Sequence, residues 1–115
     1  MILYHTWAFS DPAPVWLWNP LAAPGIYAIQ VMDDGWSPRP IYFGRTEEFS
    51  GRPAVSSHPA FRSWVREAGS EVQLWISVHR ESNATQRAVK QATLIRKYAT
   101  VCNAQVTELV PPTTV

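Results

Sequence analysis

Only one cysteine, Cys102, occurs in the 115 residues of the sequence. A single cysteine permits no disulfide within the chain and cannot form a multi-cysteine metal cluster. We therefore expect a reduced thiol packed under the last helix. The sequence also lacks an apolar run near the ~20 residues of a membrane span, and its first residues do not combine a basic start with an apolar core. These absences predict a cytoplasmic protein with no membrane partner.

An excess of charge of one sign is also missing. Ten Lys and Arg residues against nine Asp and Glu residues leave a net charge of only +1. A balance this even does not favour avid, non-specific binding to polyanions, so contact with nucleic acid would require a local basic patch. The 46% of hydrophobic residues and the six tryptophans are typical of one compact domain with a single core.

Two short apolar runs stand near the middle of the chain, at residues 25–32 and 40–44. The spacer between them begins with Asp33-Asp34-Gly35, which is typical of a turn. The pattern predicts two antiparallel strands joined by a long loop. Because side chains alternate across a strand, Tyr27 and Ile29 should share one face.

The second half of the chain predicts a helix, a strand and a longer helix. Apolar residues at helical spacing end at Gly69, which can stop a helix in the left-handed conformation. Residues 71–79 alternate, and the side chains predicted on the buried face are Val72, Leu74, Ile76 and Val78. Asn83 should cap a helix that runs to about Tyr98. The order predicts an α+β fold in which helices flank a small, mainly antiparallel, three-stranded sheet.

Residues 1–23 read as an irregular arm, rich in aromatic residues and prolines and without a helical period. Such an arm can cover a sheet edge or an apolar face. It can equally offer an aromatic surface for stacking bases, or for docking a protein partner or a second copy of the chain. Residues 104–115 read as a tail that adds a short strand.

The two apolar runs carry a resemblance to a known family. Gly25-Ile26-Tyr27 and Tyr42-Phe43-Gly44 resemble the two half-motifs of the GIY-YIG nuclease family, with Phe43 in place of the family's isoleucine. The second half-motif continues to Arg52 at the position of the family's catalytic arginine.

Further landmarks extend the resemblance along the chain. His58 falls where many members have a histidine, and Leu94-Ile95 followed by Asn103 is similar to the end of the family core. The resemblance covers roughly residues 24–103. It therefore implies an arm of residues 1–23, a GIY-YIG-like domain of residues 24–103 and a tail of residues 104–115.

The resemblance implies roles for four catalytic residues. Tyr27 would position or deprotonate the attacking water, and Tyr42 would help to orient the water or the phosphate. Arg52 would bind the scissile phosphate, where a guanidinium can grip two oxygens, and His58 would assist. Without the resemblance, the tyrosines would be ordinary strand aromatics, Arg52 a surface residue and His58 a helix-entry residue.

The resemblance also implies two supporting residues, Gly44 and Asn103, and a position for a metal ligand. The family has a glutamate three residues before its Leu-Ile pair, and this sequence has Gln91 there. A neutral amide can touch Mg²⁺ but adds no charge, whereas hard dications favour carboxylates. Mg²⁺ should therefore bind weakly or not at all.

Two explanations of Gln91 stay open: a deliberate Glu→Gln change, or a natural relative that has lost catalysis. Substitute ligands would be Glu47, Glu48 or Glu81, none of which matches the family position. From the residues alone, a glutamine on an apolar helix face needs a partner. That placement fits either a nearby site or a satisfied core glutamine.

The implied function is a GIY-YIG endonuclease domain that hydrolyses nucleic-acid phosphodiester bonds with Mg²⁺ and is inactive or crippled by Gln91. The first expected partner is DNA. One alternative is a pseudo-nuclease that binds nucleic acid without cutting it. The other is a protein-interaction domain that uses the tryptophan-rich arm.

Overall fold

The computed structural model describes residues 1–19, 22–33, 35, 37–49 and 57–103. Arg52 and the tail of residues 104–115 lie outside the described residues. The role of Arg52, the strand expected in the tail and the division of the chain at residues 23 and 103 stay predictions. No helix within the described ranges is both long and apolar enough to cross a membrane.

Six strands and two α-helices form the described structure. In chain order they are β1 (Ile2–Tyr4), β2 (Trp7–Phe9), β3 (Ala13–Pro14), β4 (Gly25–Val31), β5 (Arg39–Thr46), α1 (Phe61–Ala68), β6 (Leu74–Arg80) and α2 (Ala84–Tyr98). Two 3₁₀ turns, Val15–Leu17 and Glu71–Gln73, precede longer segments. The α+β class is confirmed.

The main sheet has the strand order β3-β6-β4-β5, and all its neighbours are antiparallel. The predicted pairing of β4 with β5 is confirmed, with an irregularity between Ile29 and Gln30. Every residue of β4 is buried, because β4 has a strand on each side and packed side chains on each face. Gly25 is needed in this crowded position, since a Cβ there would lie 2.1 Å from the carbonyl oxygen of His79.

Two hydrophobic clusters cover the two faces of the sheet. The first lies on the α1 face, and its members include Tyr27, Ile29, Tyr42, Phe49, Trp64, Leu74 and Ile76. The second lies on the α2 face and contains Tyr4, Phe9, Ile26, Ala28, Phe43 and Leu94. The alternation of side chains along β4 and β5 therefore sends the two motif tyrosines to one face and Phe43 to the other.

The N-terminal arm differs from the irregular segment that the sequence predicts. β1 and β2 form a small antiparallel hairpin, and β3 pairs with β6 as a fourth strand of the main sheet. Strands of two or three residues are too short to show an alternating pattern. The hairpin is held by Tyr4, whose hydroxyl accepts a 2.8 Å hydrogen bond from Gln30 Nε2. Burial raises the pKa of Tyr4 to about 12.

The helix, the strand and the longer helix predicted for the second half of the chain are all present, although the strand begins later than predicted. Gly69 ends α1 in the left-handed conformation (φ 89°), and Asn83 Oδ1 caps α2 by accepting from Gln86 N at 2.9 Å. The strand begins later than predicted, at Leu74, because residues 71–73 form a 3₁₀ turn. Val72, predicted on the buried face, is therefore 64% exposed.

Lys90 of α2 is largely covered, with a side chain that is 13% exposed. Its Nζ lies 2.6 Å from Glu81 Oε1 and 2.9 Å from His79 Nε2, and it stands over the Trp7 ring at 5.3 Å. The arm covers this side of α2, which the helical period alone does not reveal.

Candidate active site

The two motif tyrosines lie side by side on the α1 face of the sheet. Tyr27 on β4 pairs with Gly44 on β5, and Tyr42 is two residues before Gly44 on the same strand. Their ring centroids are 6.1 Å apart. A Cβ on Gly44 would lie 2.1 Å from Tyr27 Cζ and 2.2 Å from its hydroxyl oxygen. Glycine at position 44 therefore lets the Tyr27 ring cross over β5 toward the edge of the sheet.

His58 joins the two tyrosines through one nitrogen. Its Nε2 lies 3.1 Å from the Tyr27 hydroxyl and 3.4 Å from the Tyr42 hydroxyl. Its Nδ1 accepts a 2.9 Å hydrogen bond from Ala60 N. A ring nitrogen that accepts carries no proton, so the neutral imidazole has its proton on Nε2. His58 therefore donates to the phenol oxygens instead of accepting from them.

The start of α1 holds His58 in place. The His58 carbonyl accepts from Phe61 N at 3.0 Å, and the imidazole packs on Trp64 with ring centroids 4.6 Å apart. Trp64 also contacts the Tyr42 ring at 5.1 Å. Because Trp64 is almost fully buried, it fixes the positions of both His58 and Tyr42.

Asn103 and Gln91 both form hydrogen bonds with the backbone of Phe43, at the outer edge of β5. Asn103 Oδ1 accepts from Phe43 N at 2.8 Å, and its Nδ2 donates to Phe43 O at 3.0 Å. Gln91 Nε2 donates to the same carbonyl at 3.1 Å. Asn103 thus pairs with an edge strand as a neighbouring strand would, and it holds the residue between Tyr42 and Gly44.

Gln91 is only 8% exposed, and both ends of its amide have partners. Its Oε1 accepts from Arg45 Nη1 at 3.0 Å, while its Nε2 contacts Phe43 O. The expectation that a glutamine on this face needs a partner is therefore met by two hydrogen bonds.

A divalent cation does not fit this arrangement. The only oxygen that Gln91 could offer is neutral and already faces a positive guanidinium, whereas Mg²⁺ and Ca²⁺ favour carboxylates. Among the described residues, no group of three or more His, Cys, Asp or Glu side chains could hold a metal ion. Glu81, considered as a substitute ligand, is paired with Lys90 instead, and that hydrogen bond lowers the pKa of Glu81.

Sequence reasoning missed two arginines beside Gln91. Arg45 directly follows the second half-motif, and Arg87 is one helical turn before Gln91 and so shares its face of α2. That i, i+4 spacing was the available signal for Arg87. Arg87 is 8% exposed, and its Nη1 donates to the carbonyls of Glu81 and Ser82 at 3.0 and 3.1 Å.

A cleft of about 320 Å³ opens beside the two arginines. The residues that line it are Arg45, Thr46, Glu47, Ala84, Arg87 and Ala88. Within the described part of the chain, no carboxylate forms an ion pair with either guanidinium. The cleft therefore combines two cations with one exposed acid, Glu47.

The structure brings most of the predicted site residues together. Tyr27, Tyr42 and His58 form one hydrogen-bonded cluster, with Gly44 beneath the Tyr27 ring. Gln91 and Asn103 lie at the edge of the same strand, on the backbone of the residue before Gly44. Arg52 lies outside the described residues.

Solved structures with a similar fold are known. Two point mutants of the GIY-YIG N-terminal endonuclease domain of UvrC from Thermotoga maritima, each bound to its catalytic divalent cation, align with this chain at a TM-score of 0.51 and at 22% and 21% sequence identity. Each alignment covers 76% of this chain and 88% of the other. No protein family model and no curated protein sequence matches the chain. The predicted GIY-YIG-like fold is confirmed.

Proposed function

We propose that this chain is a GIY-YIG-type endonuclease domain that acts on nucleic-acid phosphodiester bonds, and that Gln91 leaves its metal-dependent hydrolysis crippled or inactive. The observation that carries the proposal is that the hydroxyl oxygens of Tyr27 and Tyr42 both lie within hydrogen-bond distance of His58 Nε2. Such a cluster, on the fold of an endonuclease domain, can hold a water and a phosphate oxygen against each other.

The tautomer of His58 assigns the direction of each hydrogen bond. Since Nε2–H donates to the phenol oxygens, neither tyrosine donates its own O–H to that nitrogen. An N–H donor aimed at the Tyr27 oxygen also supports negative charge there. Tyr27 needs that charge to take a proton from the attacking water. Arg52, as the resemblance implies, would bind the scissile phosphate.

The metal is the point at which this chain departs from its structural neighbours. Those neighbours bind a catalytic divalent cation, and the resemblance implies Mg²⁺, which would neutralise charge on the phosphate. Gln91 supplies no carboxylate, and its oxygen is engaged by Arg45. No step of the proposed activity is therefore assigned to a metal in this chain.

The hydrogen bonds of Gln91 favour a second function, that of a pseudo-nuclease which binds nucleic acid without cutting it. A residue that had merely lost its ligand role would leave an unsatisfied amide on a buried face. Gln91 is instead satisfied at both ends. DNA as the first partner, a dimer or protein partner through the arm, and a cytoplasmic location belong to this proposal as predictions.

Cleavage of supercoiled plasmid in Mg²⁺ separates the two functions. We expect the chain as it stands to cut weakly or not at all, and Gln91→Glu to cut measurably. Adding Tyr27→Phe or Arg52→Ala to Gln91→Glu should abolish the gain. Gln73→Glu, the same change at an exposed position, is the matched control and should add no cleavage.

A gain in Gln91→Glu that depends on Tyr27 supports a crippled endonuclease. Salt-sensitive DNA binding without cleavage in any variant supports the pseudo-nuclease. If the chain neither binds nor cuts DNA or RNA, the proposal is wrong, and the tryptophan-rich arm becomes the better candidate for function.

A further inference from the structure

We propose that Arg45, held by Gln91, takes the place of a divalent cation in this chain and binds a phosphate of the nucleic-acid strand, so that binding needs no metal. The inference deepens the proposed function and rests on it. Its basis is that the residues around position 91 do not suit the divalent cation that the fold implies.

The first step is the pairing of Arg45 with Gln91. Arg45 Nη1 donates to Gln91 Oε1 at 3.0 Å, and the other end of that amide is anchored on Phe43 O. Gln91 therefore orients the guanidinium without neutralising it. A carboxylate at position 91 would cancel the charge of Arg45, whereas the amide preserves it.

The second step is the charge of the cleft. Arg87 is buried and uses Nη1 on the Glu81 and Ser82 carbonyls, which are neutral groups. Arg87 is only 8% exposed and lines the same cleft as Arg45, so its positive charge is poorly hydrated. Buried charges without a counter-ion are costly in proteins. Because Glu47, the carboxylate of the lining, is exposed and forms no ion pair with either arginine in the described structure, an anion in the cleft would supply counter-charge.

The third step is the position of Arg45 relative to the tyrosines. Tyr27 reaches across Gly44 on one face of β5, and Arg45 is the next residue, on the α2 face. A nucleic-acid strand carries a phosphate at every nucleotide. A strand that crosses the edge of β5 can therefore place one phosphate at the tyrosine cluster and a neighbouring one against Arg45. Guanidinium groups suit this contact because they bind two phosphate oxygens at once.

Fluorescence anisotropy with a labelled DNA duplex tests the proposal on the full chain. We expect the same affinity in EDTA and in Mg²⁺. Arg45→Gln should weaken binding by about tenfold, as expected for one lost charge-assisted contact. It should also reduce the slope of log K against log salt by about 0.9. Gln91→Glu should weaken binding in EDTA, because it neutralises Arg45.

Arg96→Gln is the matched control, since Arg96 is an exposed arginine of α2 about 13 Å along the helix axis from Arg87. It should bind like the unchanged chain, and circular dichroism should show that every variant is folded. Binding that EDTA abolishes and Mg²⁺ restores would overturn the inference and leave the proposed function standing. An Arg45→Gln variant that binds as well as Arg96→Gln would do the same. The proposed function itself would be overturned only if the unchanged chain bound neither DNA nor RNA and Gln91→Glu cut neither.

Discussion

Replacing Gly44 by alanine should break the tyrosine cluster. The new Cβ would lie 2.1 Å from Tyr27 Cζ, where ordinary contact begins at 3.4 Å. The ring is nearly fully buried and packs beside Tyr42, so it cannot move aside without disturbing its neighbours. To go from 2.1 Å to the 3.4 Å of ordinary contact, the ring would have to move by about 1.3 Å. A movement of that size would break the 3.1 Å contact with His58 Nε2.

The expected cost follows from two contributions. Overpacking a buried site costs about 1–3 kcal/mol, and a lost hydrogen bond costs about 0.5–1.5 kcal/mol. The free energy of unfolding should therefore fall by about 1.5–4.5 kcal/mol. For a domain of this size, Tm should fall by roughly 6–18 °C.

Thermal unfolding followed by circular dichroism measures this change. Gly69→Ala is the control, because Gly69 has a positive φ of 89° and no described atom within 4 Å of an added Cβ. It should lose only about 1 kcal/mol, through backbone strain. In a Tyr27→Leu background the cost of Gly44→Ala should shrink, since the clashing ring is gone. The reasoning is refuted if Gly44→Ala costs no more than Gly69→Ala, or if its cost is unchanged by Tyr27→Leu.

Three further predictions concern stability. Asn103→Leu removes two hydrogen bonds to the Phe43 backbone and leaves Phe43 N without its partner, which should cost about 2–4 kcal/mol in urea unfolding. A loss below about 0.5 kcal/mol, the size of a neutral surface change, would contradict it. The pKa of Glu81 is lowered, chiefly by its hydrogen bond with Lys90, so its contribution to stability is present above the ordinary value of 4.5 and is lost as the pH falls through the lowered one. Glu81→Gln should accordingly flatten the acid side of a stability–pH profile, and an unchanged profile would count against the ion pair. Burial raises the pKa of Cys102 from 9.0 to about 11, so the unfolded thiol ionises first and stability should fall as the pH rises through that interval. Cys102→Ala should reduce this alkaline loss, and a thiol reagent at neutral pH should react with Cys102 only as fast as the chain unfolds.

Local patterns were sufficient for the middle of the fold. The β4–β5 hairpin follows from two apolar runs around a turn-rich spacer, and α2 from the Asn83 cap and its helical period. These features depend on residues close together in the chain. β3 was not predictable in this way, because Ala13 pairs with Ile76, and such a distant partner leaves no local signal. β1 and β2 pair with each other, but strands of three residues are too short to show an alternating pattern.

Some features of the candidate site could likewise be predicted from the sequence, and others depend on the folded structure. Tyr27, Tyr42 and His58 could be named from the sequence because they stand in or near the two half-motifs. The tautomer of His58 could not, since it depends on the Ala60 backbone N–H reaching Nδ1. Arg45 could not either, because its role arises only where α2 is packed against the edge of β5.

The sequence by itself determined the order of the elements from β4 to α2, the face that Tyr27 shares with Ile29 and the absence of a carboxylate at position 91. These properties depend on side-chain identity and on the period of the backbone, which are local. The tertiary structure alone decided that the amide of Gln91 is satisfied and that a guanidinium stands beside it. The partners of a buried polar group are chosen by whichever elements pack around it, and only the folded chain brings Arg45 and Gln91 together.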